Sequence, residues 1–254
     1  MKLKLLLVLA FVLPVACGGT QEPQSQSPAA TATTTPAQAS TPVATTERSA
    51  PAQRIEIAQA EPAAVALADS KFENGTHYQR LSPTQPTSSG PDQVEVAEFF
   101  MYSCIHCYNF EPYLEQWLPE KASYVNFIHV PTVWNPMVRM HAQAFYAAEA
   151  LGVGEEMHAP FFREIHVAGN YLDTEAAMAE FFGRFGVSES DFKSAFDSFA
   201  VHAKLQRADE LARRYRVSST PTIVVNGKYV ANASTAGSYE ALLELIDELA
   251  ASER

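Results

Sequence analysis

The sequence predicts an α/β fold in which a strand–helix–strand unit is separated from a closing hairpin and helix by a block of helices. Three observations carry this reading. Two runs rich in β-branched and aromatic residues, VEVAEFF and YVNFIHV, flank a helical stretch, strand patterning vanishes between about residues 137 and 216, and it returns in PTIVVNGKYVAN. The chain has 254 residues and is 47% hydrophobic, enough to bury a sizeable core. It carries no internal repeat.

From about Thr76 the elements follow in order. HYQRL reads as a short first strand, PTQPTSSGPD as a turn-rich loop, and VEVAEFF as a buried strand. YNFEPYLEQWLP spaces Tyr108, Phe110 or Tyr113, Leu114 and Trp117 at near-helical intervals, and YVNFIHV is the second buried strand. MHAQAFYAAEALG, TEAAMAEFFGRFG, SESDFKSAFDSFAVHAKL and LQRADELARRYRV give four or five helices. Thr174 with Glu175, and Ser188 with Asp191 three residues on, mark helix starts. Asn226-Gly227 between TIVV and KYV is a two-residue hairpin signal. SYEALLELIDELAAS is a last amphipathic helix capped by Ser238.

The start of the chain, MKLKLLLVLAFVLPVACGGT, has a basic head in Lys2 and Lys4 and an apolar run from Leu5 to Ala16 too short to span a bilayer. This is a secretory signal ending before Cys17. Small neighbours Ala16, Gly18 and Gly19 make the cysteine resemble a bacterial lipoprotein cleavage site, although Pro14 stands where leucine is usual. Acylation of Cys17 would tether the mature chain, because two or more acyl chains hold a membrane stably. Ordinary cleavage with a stray thiol is the alternative. Gly18, rather than an aspartate, favours the outer membrane of a Gram-negative cell. Residues 18–60 are Thr, Pro, Ala, Ser and Gln with few large apolar side chains, the composition of a disordered tether.

Of 18 basic and 29 acidic residues, 16 and 29 remain once Lys2 and Lys4 leave with the signal, a balance of about −13. With no basic stripe to neutralise phosphates, nucleic acid is excluded as a partner and proteins are favoured.

The chemistry centres on MYSCIHCYNF, where Cys104 and Cys107 are separated by Ile105 and His106. Three readings are open: a zinc clasp, a structural disulfide, or a redox pair. Zinc needs a second Cys or His pair, and His77, His129, His141, His158, His166 and His202 show no such spacing, so no metal is expected. A disulfide closing so short a loop constrains little chain. A Cys-x-x-Cys at a strand-to-helix junction of an exported protein favours the redox reading, since a helix N-terminus stabilises a thiolate. His106 adds a further donor and would make the disulfide more oxidising.

EFFMYSCIHCYNFEP, YVNFIHVP, SFAVHAKLQRADELARRY and VSSTPTIVVNGKYV, in that order, make residues 76–252 resemble the DsbA family of thiol oxidases. The resemblance implies a thioredoxin-like fold with an α-helical domain inserted between its two halves: residues 61–136 with the redox motif, 137–203 as the insertion, and 204–254 with a cis-proline loop. By position it implies Cys104 as nucleophile, Cys107 as resolving cysteine and His106 as thiolate-stabilising residue. Pro221, preceded by Thr220, would be the cis-proline facing the pair. Glu98, six residues before Cys104 in an apolar run, matches the family's buried acid, and burial would raise its pKa and suit it to relay the proton of Cys107. Ile105 departs from the proline of the best-known members, which leaves the potential open. The lysine that the family places near the acid has no clean counterpart, and Lys121 is left unassigned.

The activity so implied is a dithiol oxidase of the periplasm. It donates its Cys104–Cys107 disulfide to exported proteins bearing cysteine thiols, uses no cofactor beyond that disulfide, and is reoxidised by a quinone-linked membrane partner. A reductase or isomerase on the same scaffold is the first alternative. A tethered peptide-binding protein or holdase with incidental cysteines is the second, from another class.

Overall fold

The computed structural model describes residues 70–254. The signal at 1–17 with Cys17, the tether at 18–60 and residues 61–69 lie outside the described residues. Five strands form one sheet in the order β1-β5-β4-β2-β3: β1 (Tyr78–Arg80), β2 (Val94–Phe100), β3 (Val125–Pro131), β4 (Thr222–Val225) and β5 (Tyr229–Ala231). β2 and β3 run parallel and are joined by α1 (Ile105–Trp117), since a parallel pair needs a crossover long enough to return the chain to the same end. β4 runs antiparallel to β2, and β5 and β1 extend the sheet antiparallel beyond it.

VEVAEFF lacks the alternation of a half-exposed strand because both faces of β2 are covered, and all seven residues are buried. Val94 and Val96 pack with Phe110 and Leu114 of α1 and with Leu242, Leu245 and other residues of the last helix, α8 (Tyr239–Ala251). Ala97, Phe99 and Phe100 share the opposite cluster with Phe145, Phe162 and Leu205 of the helical block. The inserted helices are thus the second lid of the sheet rather than a detached body.

That block comprises α2 (Pro136–Ala150), α3 (Gly154–His166), α4 (Glu175–Gly183), α5 (Glu189–Phe196) and α6 (Phe199–Arg214). Thr174, Ser188 and Ser238 accept from the amides of Ala177, Asp191 and Ala241, so the three starts read from sequence are real caps. The structure also corrects the sequence reading. α3 has no counterpart among the expected segments, because Pro160 stands inside it; the helix persists since Met157, Phe161, Phe162 and Ile165 bury the same face. SESDFKSAFDSFAVHAKL is two helices, broken where Ser198 caps α6. α6 then runs unbroken through residue 204, so the boundary expected at 203/204 falls inside one helix whose Val201, Leu205, Ala208 and Ala212 are all buried. A short α7 (Ala233–Ala236), capped by Asn232, precedes α8.

Asn226 and Gly227 take φ of +50° and +61°, the pairing a two-residue hairpin requires. At Gly227 a side chain is excluded twice over, since a Cβ would stand 2.1 Å from the Gln85 carbonyl oxygen. No helix among the described residues is long and apolar enough to cross a membrane.

Candidate active site

Cys104 is the N-cap of α1, with extended backbone, and its amide bonds the Met101 carbonyl at 3.0 Å. Cys107 lies on the first turn, fully buried, while Cys104 is partly exposed and both are free thiols. Ile105 and His106 between them are exposed. The helix start is pinned from α8, where the Tyr239 hydroxyl donates to the His106 carbonyl at 3.0 Å and the Tyr239 ring stacks on Phe110.

The second wall of the site comes from a segment more than a hundred residues away. Antiparallel pairing sets Thr222 opposite Phe99, which brings the turn before β4 alongside the loop after β2. The Thr220–Pro221 peptide is cis, and the Thr220 carbonyl lies 3.4 Å from Cys104 Sγ. The Thr222 hydroxyl donates to the Ser219 carbonyl at 2.8 Å and braces the turn. Thr220 Oγ1 is buried without a partner in the thiol state.

The two thiols differ sharply in acidity. The Cys107 thiol donates to Cys104 and is the largest influence holding it down to about 5, against the opposing effect of burial; Thr220 and the backbone amides of Cys107 and His106 add to the lowering. These amides belong to the second and third residues of α1, donors that no other helical group satisfies. The main chain of His106 is thus one donor to Cys104, and its ring is exposed beside the motif. Burial pushes the Cys107 thiol far up, with the charges of Glu98 and Cys104 adding to it.

Glu98 is fully buried and neither carboxylate oxygen has a hydrogen-bond partner. Glu95, three residues earlier on the same strand, shows the contrast: it too is buried, but Oε2 accepts from the Ser88 amide and hydroxyl at 2.7 and 2.6 Å. Burial therefore raises the Glu98 pKa well above the usual carboxylate range, reinforced by Glu111 and Cys104. The parallel register sets Glu98 directly opposite His129, and Oε2 lies 3.3 Å from His129 Nε2. The residue facing the acid is thus His129 and not Lys121, whose Nζ donates to the Val125 carbonyl at 3.0 Å. Burial, then the neighbouring His158, push His129 well below its usual value.

His129, His158 and Glu111, which no sequence spacing relates, have ligating atoms all within 4.8 Å of one another. This corrects the reading that the histidines are unpaired. The signal that could have found the first contact was available: Glu98 and His129 are each the fifth residue of adjacent parallel strands that begin at Val94 and Val125.

Because the folded chain keeps the Glu98 proton over a range in which the unfolded chain releases it, the contribution of Glu98 to stability falls as pH rises from about 4.5. Glu98→Gln is expected to flatten this decline above about pH 4.5. Urea unfolding at a series of pH values checks it; an unchanged slope would show that Glu98 is ionised in the folded chain.

Comparison with known proteins agrees with this geometry. The family model of the DSBA-like thioredoxin domain matches residues 126–247. The thiol:disulfide interchange protein DsbA of Pseudomonas syringae pv. tomato is 38% identical over 189 residues, covering 74% of this chain and 88% of the relative. That of Burkholderia cepacia is 35% identical over 193 residues, covering 76% and 88%. Among solved structures, Pseudomonas aeruginosa DsbA superposes with a TM-score of 0.69 at 37% identity, over 72% of this chain and 95% of the other. The Xylella fastidiosa DsbA oxidoreductase superposes with a TM-score of 0.68 at 31% identity, over 72% and 98%. A thioredoxin-like sheet with a helical insertion, a Cys-x-x-Cys at the head of α1 and this degree of likeness together place the chain in the DsbA family of thiol:disulfide oxidoreductases.

Proposed function

We propose that the chain acts as a dithiol oxidase of exported proteins, with Cys104 the sulfur attacked and Cys107 the resolving partner. The observation that carries this is the split acidity of the pair. A substrate thiolate attacks Cys104 Sγ of the Cys104–Cys107 disulfide, and Cys107 leaves as a thiolate and takes up a proton. The substrate's second thiolate then attacks its own sulfur in the mixed disulfide and expels Cys104, an excellent leaving group with a pKa of about 5. The substrate loses two electrons and the enzyme pair gains them, so a membrane partner, quinone-linked as the family resemblance implies, must take them away.

Glu98, whose charge bears on Cys107 and whose own pKa is raised, is suited to supply the proton that the departing Cys107 needs. The Thr220 carbonyl, next to the cis peptide to Pro221, lies against the sulfur that a substrate must reach, and an extended peptide attacking Cys104 could take over that acceptor. Ile105, inside the redox motif, is an exposed apolar side chain at 48%, in keeping with a site for unfolded chains rather than small thiols.

Equilibration with glutathione buffers tests the direction of transfer. A potential near −120 mV, the known value for DsbA itself and here a yardstick, is expected; about −270 mV would make the chain a reductase. The holdase reading predicts that peptide binding survives Cys104→Ser with no oxidase function to lose.

The site of action is the periplasm, with the chain held to a membrane by acylated Cys17. Cys17→Ser is expected to shift the protein from the membrane to the soluble fraction; an unchanged distribution would remove the tether.

A further inference from the structure

Behind the redox pair, α1, β3 and α3 contribute Glu111, His129 and His158 to one partly enclosed cluster. Glu111 Oε1, His129 Nε2 and His158 Nε2 are all buried without a hydrogen-bond partner, and Glu111 is itself 8% exposed. Leaving several such atoms unsatisfied at one place is costly, and native structures rarely do so without an occupant. We propose that this cluster binds a divalent transition ion of the Zn²⁺ class, with Glu111, His129 and His158 as its three protein ligands.

Distances and ligand chemistry support the assignment. A tetrahedron with arms of about 2.1 Å has edges of about 3.4 Å. His158 Nε2 lies 3.5 Å from Glu111 Oε1, already one such edge, and the whole set needs only a small contraction from 4.8 Å. Two imidazoles and a carboxylate suit zinc and its neighbours rather than calcium or magnesium. The His158 ring is already oriented, because its Nδ1 lies 2.9 Å from the Tyr102 hydroxyl, a contact that leaves Nε2 to the metal.

Access is provided too. Glu111, His129 and His158 line a cavity of about 740 Å³, and Glu115 and Glu155 on its walls outweigh Lys121, whose Nζ is held by the Val125 carbonyl, in favouring the approach of a cation. Lys204 on the same wall is neutralised by Glu149 at 2.8 Å. Three protein ligands leave the fourth position to water from this cavity, with the Glu98 carboxyl adjoining His129 at 3.3 Å. An ion there sits one side chain away from the acid that serves Cys107, which ties the site to the redox pair by position.

The experiment uses the oxidised protein, whose disulfide keeps Cys104 and Cys107 from binding metal themselves. Titration with Zn²⁺ by calorimetry is expected to give saturable binding of one ion, weakened at least tenfold by His129→Gln and by His158→Gln. Tyr102→Phe, which removes no ligand, is expected to weaken it by about tenfold through loss of orientation. Absence of saturable binding, or binding unchanged in both histidine variants, overturns the proposal. Should either variant fail to fold, the Co²⁺ spectrum of the unaltered protein decides: intense tetrahedral nitrogen–oxygen bands support the site, and the weak bands of a hydrated ion overturn it.

Discussion

Replacing Cys107 with alanine is expected to abolish oxidation of a dithiol substrate and, separately, to raise the pKa of Cys104. The first effect follows from stoichiometry, since a single cysteine cannot carry a disulfide or accept two electrons. Activity should fall to the uncatalysed background, and Cys104 should accumulate in a mixed disulfide with glutathione or substrate, visible by mass spectrometry. The second effect follows from geometry, because the Cys107 thiol is the largest single influence lowering Cys104. A hydrogen bond to an ionised group contributes about 1.5–3 kcal/mol, and one pKa unit corresponds to about 1.4, so the rise should be about one to two units. Serine at 107 retains a donor and should restore most of the acidity without restoring turnover. An alanine variant with an unchanged Cys104 pKa would show that the helix amides and Thr220 suffice alone.

The unaltered, reduced chain should show a single ionisation with a midpoint near 5 when alkylation of Cys104 is followed against pH, while Cys107 stays unreactive across the same range. At pH 7 Cys104 is then almost wholly thiolate, whereas an ordinary cysteine is a few per cent ionised. The linkage has a definite sign. The folded reduced state holds the thiolate at a pKa below that of the unfolded chain, so its extra stability is fully present above the unfolded value near 9 and is lost as pH falls through about 5. The disulfide form has no thiolate and gains nothing from it. Melting of the two forms across this window should therefore find the reduced one ahead at pH 7, with the margin shrinking toward pH 4; a margin independent of pH would mean that the oxidising power, if present, does not come from Cys104.

Much of the fold was legible because its signals are local. VEVAEFF is β2 residue for residue, Asn226-Gly227 forms the hairpin, and Ser188 and Ser238 cap the helices they precede. What escaped depends on contacts between distant segments. α3 survives Pro160 because four large side chains bury together, and α5 parts from α6 where Ser198 finds an amide to accept from. The same holds within the site. Cys104, Cys107 and Glu98 lie in one stretch and could be read together, and the family resemblance supplied Thr220 and Pro221. The donor role of the His106 amide had no signal in the sequence, because it depends on where α1 begins. The cluster of Glu111, His129 and His158 crosses a helix, a strand and an inserted helix, and no spacing rule relates such residues.

The reach of the chain from Cys104 to Thr220, 116 residues apart, also sets an order of events during synthesis. The sulfur and its helix emerge early, whereas the carbonyl and hydroxyl that flank it arrive only after all five inserted helices have been made. The wall of the site can close only once that intervening chain exists and the entropy of joining its ends has been met. A nascent chain lacking β4 thus presents two thiols without the Thr220 contacts that help make one of them acidic. The full redox character is a property of the finished molecule, and the insertion acts as a timer between making the cysteines and arming them.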